Sequence, residues 1–234
     1  MRHILKKVYP DDPDARKSDV TGATTLAAAA PVTAAAPPAP SAVDREEQSI
    51  IARCLAGDAD AFRPLVQRYQ RLVFSVALRM LGGRAEAEDV AQQAFVDAFD
   101  ALERFRAEGR AHAFSTWLVR IAVNRAKDVL KSKRWSEEPL DREVGAGEAS
   151  FAHEPPTPEA HALREEQVRR LERALQRVPI KYREVLILKD VEELPYDEIH
   201  AILRLPITTL KIRVVRGRVM MQKALDQLDR EGRR

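Results

Sequence analysis

The chain has 234 residues, room for one large domain or two small ones, and its 45% hydrophobic content is inflated by alanine while aromatics reach only 6%. Its formal net charge of +3 says little as a total, and the partition of charge along the chain says more. A single cysteine, Cys54, excludes an internal disulfide framework and any cysteine-cluster zinc site, and its apolar neighbours predict a buried, inert thiol rather than a redox sensor.

Residues 1–43 read as a disordered Ala/Pro-rich extension, because the segment offers no periodic apolar face to offset its ordering entropy. Met1–Tyr9 is basic, but Asp11, Asp12 and Asp14 follow before any apolar run, so no targeting segment is expected. No stretch approaches the length that spans a bilayer, which predicts a cytoplasmic protein without membrane insertion.

Ordered sequence is expected from about Asp44, in an all-α fold. Ile50, Ile51, Cys54 and Leu55 recur at helical spacing until Gly57–Asp58. A second helix carries Phe62, Leu65, Val66, Tyr69, Leu72, Val73, Val76 and Met80 on one stripe, and Gly82–Gly83 stops it. A third runs from about Ala85 to Arg104 and turns Val90, Ala94, Phe95, Ala98 and Leu102 inward. After a turn at Glu108–Gly109–Arg110, a fourth spans about Phe114–Arg134 with Phe114, Leu118, Ile121, Ala122 and Val129 inside. These elements make a first domain, 44–135.

Residues 136–160 read as a flexible acidic linker, in which seven carboxylates from Glu137 to Glu159 oppose only Arg142 and repeated Pro and Gly deny regular structure. Such a linker is expected to leave its two domains without a fixed mutual orientation. The second domain, 161–234, is again helical. Leu163, Val168, Leu171, Leu175 and Val178 form one amphipathic helix, and Lys181–Lys189 the next. Pro195 precedes a short helix, Tyr196–Leu203, and Thr208 or Thr209 is expected to cap a long last helix reaching about Leu228.

Two basic blocks carry the chemistry. From Pro206 to Gln222 there is no acidic residue, while Lys211, Arg213, Arg216 and Arg218 recur and Leu210, Val214, Gly217 and Met221 pack inward. This is the pattern of a recognition helix after a short helix and tight turn, against the plainer reading of a solvated basic face. On the fourth helix, Arg120, Asn124, Lys127, Lys131 and Arg134 alternate spacings of four and three and form one stripe. Phe114, Thr116 and Trp117 at its entrance suit a base that has left the duplex, the competing reading being that Phe114 or Trp117 is core. No catalytic or metal site is expected. The histidines include no metal-spaced pair, no glycine loop cradles a phosphate, and Cys54 has no evident base.

These residues carry a resemblance. From about Asp60 to Trp135 and about Leu171 to Leu225, the chain resembles regions 2 and 4 of bacterial extracytoplasmic-function (ECF) sigma factors, through Ala87–Phe95, Phe114–Asp128 and Pro206–Arg213 with Arg216 and Arg218. The resemblance implies that Asp89, Gln92, Gln93 and Phe95 dock on the β′ coiled coil of core RNA polymerase. Phe114, Thr116, Trp117, Arg120, Asn124, Lys127 and Lys131 would open and hold the −10 element. Thr209, Lys211, Ile212, Arg213, Val215 and Arg216 would read the −35 element, with region 4 beside the β flap. The linker would thread toward the active-site cleft, and an anti-sigma factor would clamp both domains. No cofactor is implied. The alternative is a free-standing helix-turn-helix regulator, which needs neither Ala87–Phe95 nor the second basic stripe.

The chain departs from the family pattern at several positions. Gln93 stands where a glutamate is usual, Arg204 replaces the turn glycine, His200 an alanine and Pro195 a capping serine. Thr208 and Ile212 replace a glycine and a serine of the recognition helix, so the −35 sequence does not carry over from relatives.

Overall fold

The computed structural model describes residues 41–106, 112–135 and 158–232, with side chains described except at 133–135 and 158–165. The expectations for the extension up to residue 40, for the turn at Glu108–Gly109–Arg110 and for the linker up to residue 157 lie outside them, as does the side chain of Leu163. Among the described residues all regular structure is helical: α1 Ala42–Leu55, α2 Arg63–Leu81, α3 Arg84–Asp100, α4 Ala113–Trp135, α5 Pro158–Arg177, α6 Ile180–Leu186, α7 Tyr196–Leu203 and α8 Ile207–Glu231. Short 3-10 turns lie at Ala59–Phe62 and Leu102–Arg104, and α6 widens into a π turn at Ile187–Val191.

The helices begin and end for local reasons. Ser41 caps α1 through a capping box, its hydroxyl accepting from Asp44 N at 3.1 Å while Asp44 accepts from Ser41 N at 2.8 Å. The helix thus starts at Ala42, slightly before the expected position. Gly82, at φ +82°, ends α2 in the left-handed region and returns its N–H to Leu78 O at 2.7 Å. The third helix is shorter than expected: Ala101 leaves helical geometry at φ −96°, ψ 8°, and Leu102–Arg104 continues as a 3-10 turn. Neither Thr208 nor Thr209 caps α8. Pro206, extended at φ −54°, ψ 142°, holds the N-cap position, so both threonines fall inside the first turn.

Helices α1–α4 close over a core that includes Leu65, Val73, Ala94, Phe114, Leu118 and Ala122. In the C-terminal group, α6–α8 bury Val185, Leu186, Ile187, Leu188, Ile199, Leu210 and Val214, and α5 packs on α8. Gly217 lets α8 lie close on α6, because a Cβ there would meet Leu186 Cγ at 2.9 Å.

The two groups are packed together, in contrast to domains free of each other, and the described residues fall in one compact unit. The end of α2 supplies the reason. Its last carbonyls have no partner inside the helix. Arg183, 6% exposed, donates through Nη1 to Met80 O at 2.7 Å, and Gln176 Nε2 donates to Arg79 O at 2.8 Å. A guanidinium at a helix C-terminus also meets the favourable end of the helix dipole. Glu192 accepts from Ser75 Oγ and lies 3.7 Å from Arg79 Nη1.

Candidate polymerase and promoter interfaces

On α3, Asp89, Gln92 and Gln93 are exposed, as the periodicity predicts. Phe95 is not. Three residues on from Gln92, it turns with Ala91, Ala94 and Ala98 into the core, which withdraws it from any partner surface. The exposed face instead continues through Val96 and Phe99, both accessible large apolar side chains that sequence reasoning missed. Val96 is one turn beyond Gln92, and periodicity marked it only as outside the inward stripe. Asp97 fastens this helix to α4 by accepting from Arg125 Nη2 at 2.6 Å, and Gln93 Nε2 donates to it at 3.1 Å. Those bonds hold its carboxyl below the ordinary carboxylate range, chiefly through Arg125.

The entrance of α4 resolves the choice left open for the aromatics. Phe114 is 1% exposed and sits among Phe62, Tyr69, Phe105 and Trp117, with centroids 6.3, 5.8, 5.7 and 5.9 Å away. It is a core residue and does not offer a face to a base. Trp117 is half-buried against Phe105 at 5.2 Å and keeps part of its surface open. The residue before α4, His112, has φ +53° and gives its N–H to Asp44 Oδ1 at 2.8 Å. Burial opposes ionisation of Asp44, but bonds from Ser41 and His112 outweigh it and lower its pKa. Asp44, buried and absent from the sequence-based candidates, thus ties the start of α1 to the start of α4. Its capping position was the only signal for it.

The basic stripe of α4 partly faces the C-terminal group. Lys127 Nζ lies 2.8 Å from Glu184 Oε2. Thr116 is hydrogen-bonded to Glu198, whose carboxyl is pushed up by burial against the opposing pull of His112 and Thr116. Arg120 is half-buried, and desolvation first and the charge of Arg204 second lower its pKa. Asn124 and Lys131 remain exposed, with Asp128 3.3 Å from Lys131 Nζ. The stripe is therefore one surface, and α6 and α7 cover part of it.

Helices α7 and α8 form a helix-turn-helix. Its turn passes through Arg204 in the left-handed region, φ 56° and ψ 39°, where the sequence lacks the usual glycine. His200 stabilises the turn, its Nδ1 lying 2.8 Å from Leu205 O. On α8, Lys211, Ile212, Val215 and Arg216 are exposed and Thr209 is half-buried. Arg213 departs from its expected place: its Nη1 donates to Lys181 O and to Glu184 Oε1, each at 3.2 Å, so it braces α6 against α8. Arg218 likewise donates to Asp190, at 3.1 and 2.7 Å. No helix among the described residues is long and apolar enough to cross a membrane.

Comparison with known proteins agrees with this geometry. The Sigma-70 region 2 family model matches residues 65–136 and the Sigma-70 region 4 model matches residues 168–221. The RNA polymerase sigma-H factor of Pseudomonas aeruginosa is 35% identical over 192 residues, which cover 80% of this chain and 97% of that protein. The ECF RNA polymerase sigma factor SigW of Bacillus subtilis is 36% identical over 177 residues, 74% of this chain and 92% of its own. Among solved structures, CnrH in complex with the cytosolic domain of CnrY superposes with a TM-score of 0.55 at 24% identity, covering 78% of this chain and 98% of that one. RpoE of Bartonella quintana, in complex with the anti-sigma factor NepR, gives 0.56 at 20% identity, covering 70% and 96%. The two structures share the fold, and the sequence relatives show the family: the chain belongs to the ECF RNA polymerase sigma factors.

Proposed function

We propose that this sigma factor docks on core RNA polymerase through the exposed face of α3, holds the opened −10 element along α4 and reads the −35 element with α8. Promoter-specific initiation follows from joining these surfaces in one chain, and the chain supplies no chemistry of its own to the reaction. It acts in the cytoplasm, where polymerase and promoter are. The observation that carries the reading is the exposed Asp89–Gln92–Gln93 face on α3, present in addition to the two basic helices. A free-standing regulator has use for α8 but none for that face.

Val96 and Phe99 extend the α3 surface with apolar area, which suits a helical partner such as the β′ coiled coil. On α4 the base-contacting residues are Thr116, Trp117, Arg120 and Asn124, with Lys127 and Lys131 for phosphates. Phe114 supports them from the core. Engaging DNA there requires α6 and α7 to move off, because Lys127 and Thr116 are held by Glu184 and Glu198. An anti-sigma factor is the expected regulator. Since the packed groups leave α3 uncovered, such a partner blocks polymerase only by covering the Asp89 face itself.

The Asp89→Arg variant tests the docking. Reversing a charge at the centre of a desolvated anchor costs ~2 kcal/mol or more, a loss of about thirtyfold or greater. Co-purification with core polymerase should be lost while helicity by circular dichroism is unchanged. Undiminished binding places the docking surface elsewhere.

A further inference from the structure

The solvent face of α8 has an unusual composition for a surface. Ile212, Val215 and Val219 are 52%, 51% and 52% exposed, and their spacings of three and four place them in one row. The opposite side of the helix, with Leu210, Val214, Gly217 and Met221, is buried, so this row is not a second core face. Single exposed apolar residues are ordinary, whereas a row of branched ones marks a contact surface. The charges beside it say what the contact is. Lys211 and Arg216 are exposed next to the row, and Pro206–Gln222 contains no acidic residue. Arg213 and Arg218, which spacing alone would add to the reading face, are committed to Glu184 and Asp190. The surface is therefore an apolar row edged by cations, and its fitting partner is polyanionic with apolar groups at its recognition edge.

We infer that Ile212 and Val215, extended by Val219, determine −35 specificity by packing on thymine methyl groups. This rests on α8 being the recognition helix. In the major groove the C5 methyl of thymine is the one apolar feature among the base edges. The other edges present donors and acceptors, and an aliphatic side chain pressed on them leaves those groups desolvated and unpaired. Three side chains without a hydrogen-bonding atom thus favour thymine positively and disfavour the other bases by omission. Lys211 and Arg216 are left for phosphates and for a purine edge at the rim of the row. This chain therefore selects a −35 element rich in thymine at the positions facing the row.

The test uses holoenzyme, the full chain with core polymerase, and duplexes that it enriches from a library randomised upstream of a fixed −10 element. Each thymine in an enriched duplex is then replaced by deoxyuridine, which removes the methyl and nothing else. Losses of about three- to tenfold in binding are expected at the contacted positions, the value of one buried methyl group. Ile212→Ala and Val215→Ala should lose a similar factor on thymine DNA and become insensitive to deoxyuridine at the matching position. Their exposure keeps the fold intact, to be verified by the unchanged melting of each variant. Enrichment of a defined sequence with deoxyuridine neutral throughout would overturn the inference and leave α8 as the recognition helix. A failure to enrich or protect any upstream sequence would overturn both.

Discussion

Lys127 Nζ on α4 lies 2.8 Å from Glu184 Oε2, while Arg213 Nη1 on α8 lies 3.2 Å from the other oxygen of the same carboxylate. Glu184 is 5% exposed, so one buried acid joins the helix proposed to hold the −10 strand to the helix proposed to read the −35 duplex. The Glu184→Gln variant keeps the shape and removes the charge. Loss of one partner of a buried pair is strongly unfavourable to the arrangement that buries the other. We expect energy transfer between dyes on the two helical groups to report a longer distance, and binding of a single-stranded −10 oligonucleotide to tighten several-fold. An unchanged distance would show that the pair does not hold the groups together.

The same interface predicts a response to pH. Burial raises the pKa of Glu192 against the opposing effects of Ser75 and Arg79, and raises that of Glu198 against His112 and Thr116. All four of these neighbours lie on the N-terminal group, so both carboxyls face the seam, and we expect separation to expose them and to lower their pKa toward the ordinary range. A group raised in the packed state contributes its full stabilisation below its free value and loses it as pH rises through the raised value. Packing should therefore weaken as pH climbs from the ordinary glutamate range, and Glu192→Gln should flatten that dependence. The dye pair titrated from acid to neutral pH measures it, and tighter packing at the higher pH would contradict the assignment.

Arg204 occupies φ 56° without the freedom of glycine. A left-handed residue with a side chain costs about 1–2 kcal/mol, and glycine is the favoured occupant after a helix C-terminus. Arg204→Gly also removes one of the causes that depress Arg120. The variant should gain about 1 kcal/mol, seen as a melting midpoint a few degrees higher. A lower midpoint would mean that the Arg204 side chain makes contacts worth more than the strain.

Phe114 and Trp117 should separate cleanly. Phe114→Ala empties the centre of the aromatic cluster and should cost about 3–5 kcal/mol, with loss of cooperative melting. Trp117→Ala, at a half-buried position, should cost less stability than Phe114→Ala and keep cooperative melting and −35 duplex binding, while permanganate reactivity of the −10 thymines falls. Normal opening by the Trp117 variant would remove it from the −10 site.

Helical periodicity made much of this architecture legible, because glycines such as Gly57 and Gly82 take φ of 101° and 82° where the pattern stops. The exposed face of α3 and the basic run of α8 could be read for the same reason. Burial was harder where one residue type serves two purposes. Phe95 and Phe114 fall on inward stripes by periodicity yet also suit a partner by composition, and packing assigns them to the core. Arg213 belongs by spacing to the basic run, but spacing does not reveal that Glu184 across the groove answers it. The union of the two helical groups was hidden most completely. It depends on Arg183 and Gln176 meeting backbone carbonyls at the end of α2, and carbonyls leave no trace in a sequence.

The most direct measurement of the whole account is run-off transcription with purified core polymerase on a template carrying a −10 and −35 pair that the holoenzyme has selected. Addition of the chain should produce a transcript from one start site, and the Asp89→Arg variant should produce none although it still protects the upstream duplex. If the wild-type chain bound that duplex and core polymerase still failed to initiate, the protein would act as a DNA-binding regulator and not as an initiation factor.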